Sequence, residues 1–242
     1  VWRTGDPVIL WPWAWEHLDD LAEGLDSSEK VLRALDILEA FPRLPVDLLP
    51  RLARMAVTAS PRLRRRVQRL LSVSPAAPIL AEPMLKDPSA EVRRSAAEWI
   101  AAQAPQRSLD PLRAAYATEE DAATRASMLK AMRACGEDLT ELLSPGRLQQ
   151  EAAEGLEADP AAGPDWLDWD GLPTVHWRDG GPVSPQVIRW WVTLAVIMKD
   201  PDGRGLIGLY LSLLDPHDAR RLALHLVRAW AARDTAHPSP EQ

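Results

Sequence analysis

The stretch 85-LKDPSAEVRRSAAEWI-100 decides the fold. Asp87 and Pro88 stand just ahead of a segment whose apolar residues, Val92, Ala96, Trp99 and Ile100, recur at helical intervals. Apolar positions three and four residues apart share one face of an α-helix. The Asp-Pro pair marks a helix start, because the aspartate oxygen takes an orphan backbone N–H and proline has none to leave unpaired. A capping residue followed by proline recurs at Ser60-Pro61, Ser74-Pro75, Asp110-Pro111, Ser144-Pro145, Ser184-Pro185 and Asp215-Pro216. The 22 prolines therefore read as punctuation between helices, not as a sign of disorder.

Working outward, the apolar set Leu63, Val67, Leu70 and Leu71 superimposes on Val92, Ala96, Trp99 and Ile100. In that register Arg64 aligns with Arg93 and then with Arg125, at spacings of 29 and 32 residues, and Met128 and Met132 continue the last face. Val31, Leu35 and Leu38 fit the same template one unit earlier, 32 residues before Leu63, Val67 and Leu70. Shorter apolar segments around Val46–Met55, Pro78–Leu85 and Leu109–Tyr116 supply a second helix for each unit. Helix pairs at this period cannot bury their faces alone and must stack.

The Asp-Pro…Val-Arg…Ala pattern of residues 87–97 resembles the HEAT repeat, closely in this unit and by its arginine and apolar face in the neighbours. The resemblance implies an all-α fold, a HEAT-like α-α superhelix, in which Arg64, Arg93 and Arg125 hydrogen-bond within the array. The expected divisions are three: 1–154, an N-terminal aromatic cap and HEAT-like repeats; 155–185, a Gly/Pro/Trp-rich connection; and 186–242, a helical segment continuing the solenoid. In the cap, Trp11-Pro-Trp-Ala-Trp15 reads as an extended aromatic plug on the open end of the array. Behind it, Glu16, Asp19, Asp20 and Glu23 form an acidic face, with Trp15, Leu18, Leu21 and Leu25 turned inward.

The connection holds Pro160, Gly163, Pro164, Gly171, Pro173, Gly180, Gly181 and Pro182 and shows no helical period. Loops longer than about 12–15 residues are usually functional or linker-like. Within it, Thr174-Val-His-Trp177 followed by Asp179-Gly180-Gly181 has the pattern of a small β-hairpin. Trp166, Trp169 and Trp177 are read as an aromatic latch onto neighbouring helices. Helices are expected again from Gln186 to Lys199, from Leu206 to Leu214 and from Pro216, with Lys199-Asp-Pro-Asp-Gly203 as a turn. Leu172-Pro173…Asp179-Gly180…Pro182…Val187, with the closing Leu226-Val-Arg-Ala-Trp230, is similar to the bacterial MolR-type, WGR-associated domain. That resemblance assigns no catalytic residue, and it implies further helical repeats beyond Gln242. The opening on Val1 rather than Met likewise reads as a segment of a longer polypeptide.

Composition narrows the chemistry. The chain has 242 residues, 11 Trp against 2 Tyr and 1 Phe, a single cysteine and a formal charge of −7. One cysteine excludes an intrachain disulfide and a cysteine-based zinc cage, and it favours a reducing, cytoplasmic setting. The longest apolar run, Trp190 to Met198, falls far short of the roughly 20 residues a membrane span needs. Asp165, Asp168, Asp170, His176 and Asp179 cluster locally, but their spacing departs from a calcium loop, so no metal is assigned. Cys135 precedes Gly136 in a helix C-cap context, without a paired histidine. No phosphate-binding glycine loop, nucleophile elbow or cofactor fingerprint is present, and nothing argues for an enzyme.

The functional lead is basic. Arg51, Arg54, Arg62, Arg65, Arg66 and Arg69, with Arg64, fall within nineteen residues. On the helix after Pro61, Arg62, Arg65, Arg66 and Arg69 lie opposite the apolar face. Three readings stand open: a solvated face paired with the chain's own acids, a surface for an acidic protein partner or the rest of the parent chain, and a phosphate surface. The expected role is a non-catalytic scaffold that binds a protein partner. The alternative is a nucleic-acid-binding module of the HEAT-like DNA glycosylase type, since planar guanidinium forks suit phosphates.

Overall fold

The structure, a computed structural model, describes residues 6–158, 163–198 and 206–235. Among these residues the protein is all-α, with thirteen helices and no strand. Residues 1–117 and 118–242 form two compact units.

The first unit runs α1 (Pro7–Glu16), α2 (Leu18–Asp26), α3 (Val31–Glu39), α4 (Leu49–Thr58), α5 (Pro61–Leu71), α6 (Ala77–Ala81), α7 (Ala90–Gln103) and α8 (Pro105–Tyr116). Tight 3-10 turns at Val46–Leu48 and Glu82–Lys86 lead into α4 and toward α7. Its core is the expected apolar stripes: Leu35 and Leu38 of α3, Leu52 and Val57 of α4, Val67 and Leu71 of α5, Ala96 and Ile100 of α7 are all buried. Arg64 and Arg93 both bond within this unit. Arg64 donates to Ser95 Oγ at 2.7 Å, tying α5 to α7. Arg93 donates to the carbonyls of Asp87 and Pro88 at 2.8 and 3.0 Å, closing the loop that precedes its own helix. Both arginines therefore act within the fold.

The proline marks hold at four places: α5, and in the second unit α10 (Pro145–Ala158), α11 (Pro185–Met198) and α13 (Pro216–Thr235), each open on the proline of its pair. Ser74-Pro75 and Asp87-Pro88 instead sit in the turn before the helix, which begins two residues later at Ala77 and Ala90. Asp110-Pro111 is different, because it lies inside α8. That helix starts at Pro105 behind Ala104, a residue with no capping oxygen, so the true start lacked the expected signature.

The aromatic segment near the N-terminus also differs from expectation. Trp11 to Trp15 are helical, not extended, because Asp6 caps Val8 N–H at 2.9 Å and Pro7 takes the first helical position. Trp11 and Trp15 flank Phe41 with ring centres at 5.8 and 5.9 Å, and Trp13 stacks on His17 at 4.1 Å. Trp15, expected inside, is 49% exposed. His17 interrupts the helix, and its ring bonds back to Trp13 O at 2.8 Å.

The second unit contains α9 (Ala122–Ala134), α10, α11, α12 (Leu206–Leu211) and α13. Met128, Leu129 and Met132 of α9 are buried, as are Leu148 and Ala152 of α10, Ile188, Trp191 and Leu194 of α11, and Leu209 and Tyr210 of α12. Gly155 lets α10 approach Trp190: a Cβ there would lie 2.4 Å from the indole ring. The expected turn at residues 199–203, Pro160, and the chain beyond 235 lie outside the described residues.

Residues 163–184 of the connection belong to this unit. The expected hairpin is present as a tight reversal, not as paired strands. Trp177 N–H donates to Gly181 O at 2.7 Å, Val183 N–H to Val175 O at 2.9 Å, and Gly180 turns the chain at φ 92°. The ladder stops there because His176 and Trp177 also pair with the segment before α13: Asp215 N–H donates to His176 O at 2.9 Å, and Arg178 N–H to Leu213 O at 3.0 Å.

Candidate functional site: the arginine face of α5

Helix α5 reads PRLRRRVQRLL, and its burial follows the 3.6-residue period. Val67 and Leu71 are buried, Leu63 and Leu70 are half-buried, and Arg62, Arg65 and Arg69 are exposed. Those three arginines fall within about 60° of helical arc and span roughly 10 Å along the axis. With Gln68, Ser72 and Gln103 they line a groove of about 490 Å³. Gln68 is held by donation to Ala56 O at 2.8 Å, and Ser72 Oγ by donation to Arg69 O at 2.7 Å, so two walls of the groove are fixed.

The arginines of the cluster do not share one role. Arg66 Nε and Nη2 bond both oxygens of Glu39 at 2.8 and 2.9 Å, and Nη2 also reaches Asp36 at 2.6 Å. Its Nη1 donates to Leu32 O at 3.3 Å. The Glu39 bonds hold its pKa above the ordinary arginine value against the opposing effect of burial. Arg66 is thus committed to α3. Arg51 makes a solvent-exposed pair with Asp26 at 3.4 Å. Arg54, Arg62, Arg65 and Arg69 pair with no carboxylate among the described residues. Sequence spacing placed Arg66 beside its neighbours without revealing that Asp36 and Glu39 would meet it.

The aspartates of the connection are not brought together. Asp165 pairs with Arg233 at 3.6 Å, Asp168 caps Asp170 N–H, and Asp179 caps Gly181 N–H. His176 instead meets Asp218, through both Nδ1 at 2.8 Å and its backbone N–H at 3.0 Å. Arg221 adds a bond from Nη2 to the other Asp218 oxygen at 2.9 Å and a second to Thr174 O. Asp218, a residue that the sequence pattern did not single out, is the pin between connection and α13. These donors hold its carboxyl below the usual range, His176 first among them. Donor atoms of Asp215, His217 and Asp218 lie within 4.8 Å of one another. Asp215 is however the cap of α13, accepting from His217 and Asp218 N–H, and Asp218 already faces Arg221 and His176.

The three indoles of the connection differ in burial. Trp177 is buried and meets Trp191 edge-on at 5.7 Å, and Trp191 stacks on Tyr210 at 4.5 Å. Trp169 is half-buried under Arg189, whose guanidinium carbon sits 5.3 Å from its ring centre. Trp166 is half-buried. Cys135 ends α9 against Gly136, which has φ 91°, and burial raises its thiol pKa, which disfavours a nucleophilic thiolate.

Scans against protein families, curated proteins and solved structures each found no match to this chain. No described helix is long and apolar enough to cross a membrane.

Proposed function

We propose that this protein is a non-catalytic helical interaction module that binds an acidic segment of a partner protein through Arg62, Arg65 and Arg69. One observation carries the reading: three exposed, carboxylate-free arginines line one groove on a chain whose formal charge is −7. An acidic chain that leaves a row of cations unpaired has the electrostatic pattern of a surface awaiting an opposite charge. Their positions at i, i+3 and i+7 match carboxylates at the same intervals on a partner helix. The HEAT-like pattern at residues 87–97 supports the same role, since stacked helix pairs offer extended surfaces to partners. The partner is a separate protein or another part of a longer polypeptide, and the single cysteine suits a cytoplasmic setting.

The nucleic-acid alternative finds less support in the same row. A protein that neutralises 6–10 phosphates shows a steep salt dependence, whereas three arginines would give a slope of only about −3. The test is fluorescence anisotropy with a labelled helical peptide bearing glutamates at i, i+3 and i+7, beside a labelled DNA duplex. The triple change Arg62→Glu, Arg65→Glu, Arg69→Glu is expected to weaken peptide binding by roughly 100-fold or more, with helical content unchanged. Duplex binding that survives physiological salt and is lost in the same variant, or release of a base from damaged DNA, would transfer the site to nucleic acid. Equal peptide affinity of the two proteins would remove the proposal.

A further inference from the structure

A different pair of surfaces, one on each unit, is left apolar and exposed. In α13, Leu224, Val227 and Trp230 follow one another at three-residue intervals and are 46–60% exposed. Contact with the unit is carried by the opposite side of the helix, where Asp218 and Leu222 are buried. Arg220 and Arg228 stand four residues before and after Leu224, on its side of the helix, and pair with no carboxylate among the described residues. The outer face of α13 is therefore an apolar ridge with a cationic margin.

The first unit carries the counterpart. In α1, Val8, Ile9 and Trp15 are 49–75% exposed, and Pro12 between them is exposed too. At 100° per residue Val8, Pro12 and Trp15 share one side of the helix, with Ile9 and Glu16 beside them. Asp19, Asp20 and Glu23 continue the acidic run on α2, exposed and without a basic partner among the described residues. The ridge thus has Glu16 at its edge and an exposed acidic run on the helix that follows. Contiguous apolar patches edged by charge mark interaction sites, not ordinary surface.

We infer that the protein self-associates head to tail, the α13 face of one copy seating on the α1–α2 face of another. The complementarity is twofold: three large apolar side chains oppose three, and Arg220 and Arg228 oppose Glu16, Asp19, Asp20 and Glu23. A basic apolar helix also suits an anionic membrane surface. The second copy is favoured because the same chain bears the matching acidic ridge, which an anionic membrane would repel. A contact between two different faces is heterologous, so it propagates beyond a dimer unless the geometry closes a ring.

Sedimentation velocity of the whole chain tests this, from micromolar to millimolar protein, in low salt and in molar salt. The average mass is expected to rise above the 26.8 kDa of one copy as concentration increases, and to fall back in high salt. Val227→Asp with Trp230→Asp, and separately Val8→Asp with Ile9→Asp, should each shift association to at least about tenfold higher concentration. Mixing the two variants gives the decisive signature. Each retains one intact face, so together they form one-to-one pairs and nothing larger. Should the apolar changes perturb folding, Arg228→Glu and Glu23→Arg serve instead: each alone weakens association and the double swap restores it. A wild type that is monomeric throughout overturns the inference. So does a mixture that fails to pair, which would indicate a symmetric contact. Monomeric protein that sediments with phosphatidylserine vesicles through Trp230 overturns it as well, placing α13 on a membrane.

Discussion

At Arg66 one guanidinium donates four hydrogen bonds, two to Glu39 and one each to Asp36 and the Leu32 carbonyl. Arg62 and Arg65, four positions and one position away, have none of these partners. Their difference was not legible in the sequence, because the spacing that gathers arginines on α5 does not say which of them faces α3. The two classes respond differently to substitution. Arg66→Ala is expected to cost roughly 1 kcal/mol or more, above the median for a surface pair because the geometry is bidentate and networked. Arg62→Ala should change stability by no more than about 0.5 kcal/mol. Urea denaturation of the two variants checks the contrast. Equal effects would mean that α5 presents its arginines uniformly. Arg64 shows the reverse case: its place in the repeat register foretold a structural hydrogen bond, and Ser95 supplies it.

At the scale of the element, apolar periodicity was the most legible signal and proline the less faithful one. The stripes at 31–38, 63–71 and 92–100 face the core as their spacing requires, with Leu35, Leu38, Val67, Leu71, Ala96 and Ile100 buried and Leu63, Leu70 and Val92 half-buried at the edge. Proline fixes only its own φ and removes one donor, so it is compatible both with a first turn and with the loop just before it. That ambiguity moved the starts of α6 and α7 by two residues, and it concealed α8, which contains Pro111. The connection shows a second limit. Its alternation foretold the reversal at Gly180, but the partner that ends the ladder, Leu213 to Asp215, is more than thirty residues along the chain. Pro111 itself gives an element-scale prediction. An interior proline deprives α8 of the bond to the carbonyl four residues earlier and crowds that carbonyl, at a cost of about 3 kcal/mol in an unadapted helix. Pro111→Ala, at a half-exposed position, should restore the bond and raise stability by about 1 kcal/mol, part of the gain being offset by the freer unfolded chain. A lower melting temperature in that variant would show that the packing of α8 requires the proline.

At the scale of the whole molecule, the all-α architecture and its core were legible, whereas the division after Ala117 was not, because helical periodicity runs through it unchanged. In the second unit two carboxylates, Glu151 and Asp218, are perturbed in opposite directions. Burial raises the Glu151 pKa, only partly countered by donation from Trp190 Nε1 at 3.4 Å and by the nearby Arg125. A carboxyl with a raised folded pKa favours the fold most when protonated, so its contribution is full below the unfolded value near 4.3 and is lost as pH rises through the folded value. Asp218 is the opposite: His176 and Arg221 lower it. Its contribution is present above the unfolded value near 3.9 and is lost as pH falls through the folded value. The two titrations therefore lie on either side of the ordinary carboxylate range. The Glu151 contribution should therefore grow on acidification from neutral as it takes its proton, and the Asp218 contribution should be lost further down as it takes one and loosens the connection from α13. Glu151→Gln keeps an acceptor for Trp190 and removes the charge. It is expected to raise the melting temperature at pH 7 by a few degrees and to leave it nearly unchanged at pH 4. Asp218→Asn should lower the melting temperature at pH 7, and the deficit should shrink toward the acid end, where wild-type Asp218 is itself neutral. Melting curves of the three proteins from pH 3 to pH 8 measure these differences directly, and because each variant is compared with wild type at the same pH, titrations elsewhere in the chain cancel. A Glu151→Gln gain that is constant across the range would mean that its carboxylate is not charged at the expense of the fold.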